Sequence, residues 1–356
     1  MLFELANMLW QCLLVFIFSA VLTGVYRHFA KKKSLVDIPE ARSSHFRLIT
    51  RGGGLAVVVA FIGVLLLNPP STTLYWSLII GGSLIAFIGF IDDLSHIPPQ
   101  WRLLYQSIAV LFPLFLIQGG AMPFPPWLAF PLTFLGLLWL LNLFNFMDGI
   151  DAIAGTELVV VAFAIALLLI SQEQVAMAGY LLLLAFAVLG FLAWNMPPAR
   201  IFMGDVGSSF LGFVIGVFAL YSVVEGMLNI FTWLIILACF VGDTTFTLLR
   251  RMARGDTWYE GHCTHTYQKA ALLLAQRSTS PRKSRQRAYA HRVVIGIMAL
   301  INLIWLLPLA WLAQAYPFWG LFFVFLGYAP IIVIAIILEA GTPLNMTKKV
   351  THAREA

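Results

Sequence analysis

Between Leu158 and Trp194 the chain reads LVVVAFAIALLLISQEQVAMAGYLLLLAFAVLGFLAW, 37 residues with one charge, Glu173. A helix at the surface of a water-soluble protein keeps a polar face, and neither half of this stretch has one. Two apolar runs near 157–171 and 176–194, joined by a short polar turn, read as membrane helices that double back on each other. The pattern repeats outward, near 4–26, 53–68, 74–91, 103–121 and 127–145 on one side and 206–224, 228–249, 292–314 and 317–338 on the other. Composition agrees: 61% of residues are hydrophobic, 11% are charged and the mean hydropathy is +0.90, whereas soluble domains are about a quarter charged. A water-soluble globule is excluded. The spacing predicts an all-α polytopic integral membrane protein of eleven transmembrane helices. One membrane domain is expected over 1–338, including a polar arm at 250–291 too short to fold alone, and a tail over 339–356. The first run lacks a basic region ahead of it and is followed by Arg27 and Lys31-Lys32-Lys33, the reverse of a secretory signal, so it reads as a retained helix.

The net charge of +6 comes from basic residues in separate short connections. No contiguous basic face forms, so nucleic acid is not an expected partner. All 22 Lys and Arg residues fall on one side, 21 of them in one set of alternate connections (27–52, 92–102, 146–156, 195–205, 250–291) or after 338 and Arg292 at the adjoining start of the 292–314 run, while the other set holds only Glu4, Glu173 and Glu225. The positive-inside rule then predicts an external N-terminus and a cytoplasmic C-terminus. The Asp residues share the basic side, so chemistry is expected at the cytoplasmic face. Cys12, Cys239 and Cys263 form no C-x-x-C pair or disulfide framework.

Four polar constellations interrupt the apolar pattern. Asp92-Asp93 ends the third run; adjacent carboxylates at a membrane surface repel unless a cation sits nearby, although two solvated charges ending a helix is the plainer reading. Asn142, Asn145, Asp148, Gly149 and Asp151 end the fifth; they suit a polar heterocycle and a metal–phosphate group, against a packing role for Asn142 and a cap for Asp151. Asn195 precedes Phe202-Met203-Gly204-Asp205-Val206-Gly207-Ser208-Ser209. There a helix N-terminus and a carboxylate can hold a phosphate through a divalent cation, or Asp205 is an N-cap. His262-Cys263-Thr264-His265 lies in the arm; it reads as hydrogen-bond donors to anionic oxygens, with a zinc half-site as the alternative lacking a partner pair. The glycines in Thr50-Arg51-Gly52-Gly53-Gly54 are a weak signal and match no P-loop.

In this order the motifs resemble the polyprenyl-phosphate N-acetylhexosamine-1-phosphate transferases, glycosyltransferase family 4. That group includes phospho-N-acetylmuramoyl-pentapeptide transferase and the enzymes that start O-antigen and teichoic-acid linkage units. The resemblance spans about 37 to 270, and Arg42-Ser43-Ser44-His45 with Trp258-Tyr259-Glu260-Gly261-His262 look most like the O-antigen-initiating branch. Departures are His96 and Arg102 where members often carry Lys or Arg after the Asp pair, and His262-Cys263-Thr264-His265 in place of a run of His.

The resemblance implies that undecaprenyl phosphate attacks the β-phosphorus of a UDP-N-acetylhexosamine, giving undecaprenyl-diphosphate-sugar and UMP with Mg²⁺, or Mn²⁺ in its place. It implies a multi-pass protein of the bacterial inner membrane that begins O-antigen or another envelope polysaccharide, with a homodimer left open. Catalytic residues would be Asp92, Asp93, Asp205, His262 and His265, with Asp205, Asp93 and Asp148 toward the metal. Asn142, Asn145, Asp148, Asp151, Asn195, Phe202 and Gly204 would bind the nucleotide sugar, Phe202 by stacking on uracil. The prenyl chain would need an apolar groove, expected at the third, fourth, fifth and ninth spans. Which UDP-sugar is used, and whether an aspartate attacks covalently, stay open. A transporter or flippase is the competing class, but ionisable groups at mid-membrane are sparse. A CDP-alcohol phosphatidyltransferase shares only Asp148-Gly149.

Overall fold

The computed structural model describes residues 2–32, 36–37, 49–95, 97–117, 125–256, 262–278, 280 and 282–343. Arg42-Ser43-Ser44-His45, His96, Trp258-Tyr259-Glu260-Gly261 and the tail beyond 343 lie outside the described residues.

The helices are α1 (Leu2–Lys32), α2 (Gly54–Leu67), α3 (Thr72–Ser95), α4 (Pro99–Leu116), α5 (Pro126–Met147), α6 (Ile153–Ser171) and α7 (Val175–Asn195). They continue with α8 (Asp205–Val224), α9 (Ile230–Ile236), α10 (Ala238–Ala253), α11 (Thr266–Arg277), α12 (Lys283–Ala315) and α13 (Pro317–Ile337). Every apolar run is helical, and the opening stretch forms the α6–α7 hairpin, turning at Glu173 with φ 61°.

The expected eleven spans are only partly met among the described residues. Eight helices are long and apolar enough to cross a membrane, and nine if α9 and α10 count as one span bent by 74°. The other two are α2 and α4. With 14 residues α2 reaches about 21 Å at about 1.5 Å per residue, short of a hydrocarbon core of roughly 30 Å. Gln100, Arg102, Gln106 and Ser107 dilute α4. The only described strands, Val36–Asp37 and Ile49–Thr50, pair antiparallel, and Thr50 also bridges Ile201.

The centre of the protein is α8, buried from end to end and packed against α2, α3 and α5. Backbone approach makes this possible. Gly54 meets Gly207 Cα, and a Cβ on Gly89 would stand 2.6 Å from the Asp205 carbonyl oxygen. One turn beyond Gly89 come Asp92 and Asp93, so the same close approach brings the acidic end of α3 against the start of α8.

Gly89→Ala is therefore expected to cost about 1–3 kcal/mol through overpacking. Gly63→Ala, with nothing within 4 Å of the new carbon, should be neutral. Thermal unfolding of the detergent-purified variants compares them; equal midpoints would show that α3 and α8 can part without cost.

Candidate active site

The first N–H groups of a helix lack intrahelical partners, and α8 has no side-chain cap of its own. Gly204, at φ 77°, turns the chain into the helix, and Asp93 from α3 takes the orphans: Oδ1 accepts from Asp205 N–H at 2.9 Å and Oδ2 from Val206 N–H at 3.1 Å. Arg51 spans both acids, Nε 2.8 Å from Asp93 Oδ1 and Nη2 2.5 Å from Asp205 Oδ1. Arg102 from α4 reaches Asp92 Oδ2 at 3.2 Å and Asp205 Oδ2 at 3.7 Å. Asp92 Oδ1 also accepts from Ile97 N–H at 2.6 Å. Asp148, just past α5, is within electrostatic reach of Asp205, Arg51, Asp93 and Asp151; burial pushes its carboxyl well above the usual range, the Asp205 charge adds to this and Arg51 opposes it.

Four acids thus face two guanidiniums, and with Asp148 pushed toward its neutral form the negative excess is smaller than the count of acids. Among the described residues no three His, Cys, Asp or Glu side chains converge on one metal position, so Asp205, Asp93 and Asp148 are neighbours without forming a closed cage. The hard-oxygen donor set and the charge excess fit Mg²⁺, which takes one or two carboxylates and completes its shell with water and substrate phosphate.

The sequence motifs divide on inspection. Asp92, Asp93, Asp148, Gly204 and Asp205 come together. Asn195 is buried and its amide is committed, Oδ1 accepting from Ala152 N–H at 2.9 Å and Nδ2 donating to Ile201 C=O at 2.8 Å. It ties the 148–152 turn to the 195–205 loop. Asp151 Oδ2 accepts from Ala199 N–H at 3.0 Å across the same junction. Phe202 joins the glycine loop through its backbone, N–H to Thr50 C=O at 2.8 Å and C=O to Gly53 N–H at 2.9 Å. Asn145, half-buried near the end of α5, accepts the Asp148 N–H through its own backbone C=O at 3.3 Å. Asn142 donates to Gln106 Oε1 at 3.0 Å and Leu138 C=O at 2.8 Å, on the side of α5 that meets α4, as a packing amide would.

The arm repeats the capping device. Asp243 in α10 accepts from Thr266 N–H at 2.9 Å and Tyr267 N–H at 3.2 Å, and so caps α11. His265 is buried with Nδ1 3.6 Å from Asp243 Oδ1, and its ring stacks on His262 and Tyr267 with centroids 4.7 and 5.8 Å away. Tyr267 in turn donates its hydroxyl to Phe146 C=O at 3.1 Å, docking the arm on α5. Beside it lies a cavity of about 130 Å³ whose lining includes Met147, Cys239, Val294, Ile297 and Ile334. These residues belong to the fifth, ninth, tenth and eleventh apolar runs, so this cavity shares only the fifth and ninth with the expected groove. Arg51, Arg102 as an ion-pair partner and Asp243 are site residues that sequence reasoning undervalued. The one signal for Arg51 was its place in the glycine run.

The family model for glycosyl transferase family 4 matches residues 75–223. A probable undecaprenyl-phosphate N-acetylglucosaminyl 1-phosphate transferase of Bacillus subtilis (strain 168) is 28% identical over 341 residues, covering 91% of this chain and 89% of its own. An undecaprenyl-phosphate alpha-N-acetylglucosaminyl 1-phosphate transferase of Yersinia pestis is 25% identical over 319 residues, 85% of each chain. A phospho-N-acetylmuramoyl-pentapeptide-transferase of Streptococcus pneumoniae serotype 2 is 32% identical over 183 residues, 47% of this chain and 55% of that one. The chain is thus similar to the glycosyl transferase family 4 model over 75–223 and to undecaprenyl-phosphate N-acetylglucosaminyl 1-phosphate transferases over most of its length.

Burial, then the neighbouring His265 and Arg251, push His262 from 6.5 down to about 3. The folded protein holds it neutral where the unfolded chain would take up a proton, so this contribution to stability is complete above about pH 6.5 and is lost as pH falls toward 3. His262→Gln should flatten the decline of the unfolding midpoint between pH 6.5 and 4.5; a slope equal to wild type would place the imidazole in water.

Proposed function

We propose that the protein transfers N-acetylhexosamine 1-phosphate from a UDP-sugar to undecaprenyl phosphate at the cytoplasmic face of the bacterial inner membrane. The observation that carries this is the cluster of Asp92, Asp93, Asp148 and Asp205 with Arg51 and Arg102 at the N-terminus of α8. A phosphate oxygen of the lipid forms a bond to the β-phosphorus while the bond from that phosphorus to the bridging oxygen breaks, and UMP departs. Both reactants are anionic, so the step needs positive charge that does not have to be reorganised. Arg51 and Arg102 supply two fixed guanidiniums, and the positive end of the α8 dipole, beyond the Asp93 cap, favours a phosphate. Mg²⁺, when bound by Asp205 with Asp93 or Asp148, would neutralise and orient the diphosphate oxygens.

Asp92, held by Arg102 and Ile97 N–H, is placed to orient the lipid phosphate or take its proton; direct and covalent routes both remain compatible with it. Asp151 and Phe202 border the nucleotide, and His262 and His265 face phosphate or sugar oxygens from the arm. The names of the relatives make UDP-N-acetylglucosamine the first donor to assay. Initiation of an envelope polysaccharide such as O-antigen is the role this product would serve. Segregation of the 22 basic residues supports an external N-terminus and a cytoplasmic C-terminus.

The purified protein with undecaprenyl phosphate, Mg²⁺ and UDP-N-acetylglucosamine or its N-acetylated relatives should release UMP. Asp205→Asn should lower the rate by about 10²- to 10³-fold, the scale of losing one preorganised electrostatic group, with the unfolding midpoint retained. Chelation by EDTA should abolish turnover and Mg²⁺ restore it. Near-normal turnover of Asp205→Asn at saturating Mg²⁺ would remove Asp205 from the site.

A further inference from the structure

Two turns into α12, two polar residues, His291 and Arg292, grip the loops of the candidate site from behind. His291 is buried, and its Nδ1, which makes no hydrogen bond to any described residue, lies at ion-pair distance, 3.3 Å, from Asp151 Oδ2. Arg292 donates through Nε at 3.0 Å and Nη2 at 2.5 Å to the carbonyl of Pro197. Two residues on, Ala199 N–H donates to the same Asp151 Oδ2. One oxygen of Asp151 is therefore engaged twice, while Oδ1 accepts from no described residue. An apolar side chain would enter the membrane more cheaply than a histidine. A buried imidazole facing one oxygen of a carboxylate is the arrangement by which an outer partner fixes the aim of a ligand-contacting group.

We propose that His291 is a positioning residue for Asp151. With Ala199 N–H it holds Oδ2, so that Oδ1 is presented to an N–H or O–H donor on the nucleoside part of the UDP-sugar. The inference rests on the transferase reading and adds a specificity device to it, reached through α12. Because a nucleoside contact far from the reacting phosphorus stabilises ground state and transition state alike, its loss belongs in the KM of the UDP-sugar and leaves kcat unchanged.

The test measures kcat and the KM of each substrate for the full chain in detergent. His291→Leu should raise the UDP-sugar KM by about tenfold and leave the KM of undecaprenyl phosphate and kcat within about twofold. His291→Asn, whose amide nitrogen falls near the Nδ1 position, should recover most of the loss. His291→Gln, whose amide reaches past it, should not. Asp151→Asn combined with His291→Leu should be no worse than Asp151→Asn alone. Equal UDP-sugar KM values for His291→Asn and His291→Gln overturn the proposal even if His291→Leu fails to fold, as does a loss spread over kcat and both KM values. A wild-type protein that releases UMP from no UDP-sugar defeats the transferase reading instead. Normal wild-type kinetics with an unchanged KM in a folded His291→Leu defeats the positioning role alone.

Discussion

Asp93 on one helix accepts the first two N–H groups of another, at 2.9 and 3.1 Å, and the arrangement of the bundle follows from that borrowed cap. The helix it starts, α8, is buried along its whole length, where an unsatisfied backbone donor costs several kcal/mol because no water can replace the missing partner. The start of α8 cannot drift from the end of α3 without exposing those donors. The glycines at 54, 89 and 207 let backbones approach closely enough for the cap to form. Arg51 then offsets the second charge that Asp205 adds beside Asp93.

The same device recurs at the arm, where Asp243 caps α11 through Thr266 and Tyr267. In both places a candidate site residue stands at the helix start, Asp205 in one and His265 in the other. An acid capping two N–H groups is spent on structure, yet it fixes its neighbour at the positive end of a helix dipole, where anions are stabilised. This separates two functions that an Asp pair in a sequence does not distinguish. Asp93 spends both oxygens on backbone N–H groups besides meeting Arg51, Asp92 divides its oxygens between Ile97 N–H and Arg102, and Asp205 engages guanidiniums that a phosphate can compete for.

Much of the fold was legible because lipid imposes a one-dimensional rule: apolar runs become helices, and each run did. What the rule does not encode is crossing. The run at 228–249 contains the 74° break at Leu237 with no proline there and no glycine within four residues, so its pattern reads straight through. Within the site, the acids were visible because charges at the inner ends of apolar runs stand out. Their cations were not: Arg51 lies in a glycine loop and reaches Asp205, 154 residues away, only through tertiary packing. Asn195 was visible in the motif, but its structural tie was not: Oδ1 accepts from Ala152 N–H and Nδ2 donates to Ile201 C=O, a junction between two loops that residue type does not encode.

The charge count bears on why such a site sits at a membrane edge. Four acids with two guanidiniums would repel a phosphate if they were immersed in a medium of low polarity, and pairs this close gain too little from two cations to stay ionised there. At the helix ends each side chain keeps partial access, Arg51 at 30% and Arg102 at 24% exposure against 5–11% for the acids they touch. The guanidiniums are therefore the wetter partners, and an incoming anion can meet them from the solvent side without displacing them. The buried acids, fixed by backbone N–H groups, need not move. A site built this way holds its geometry through the helices and keeps its positive charge on the more exposed side, from which an anionic ligand can approach.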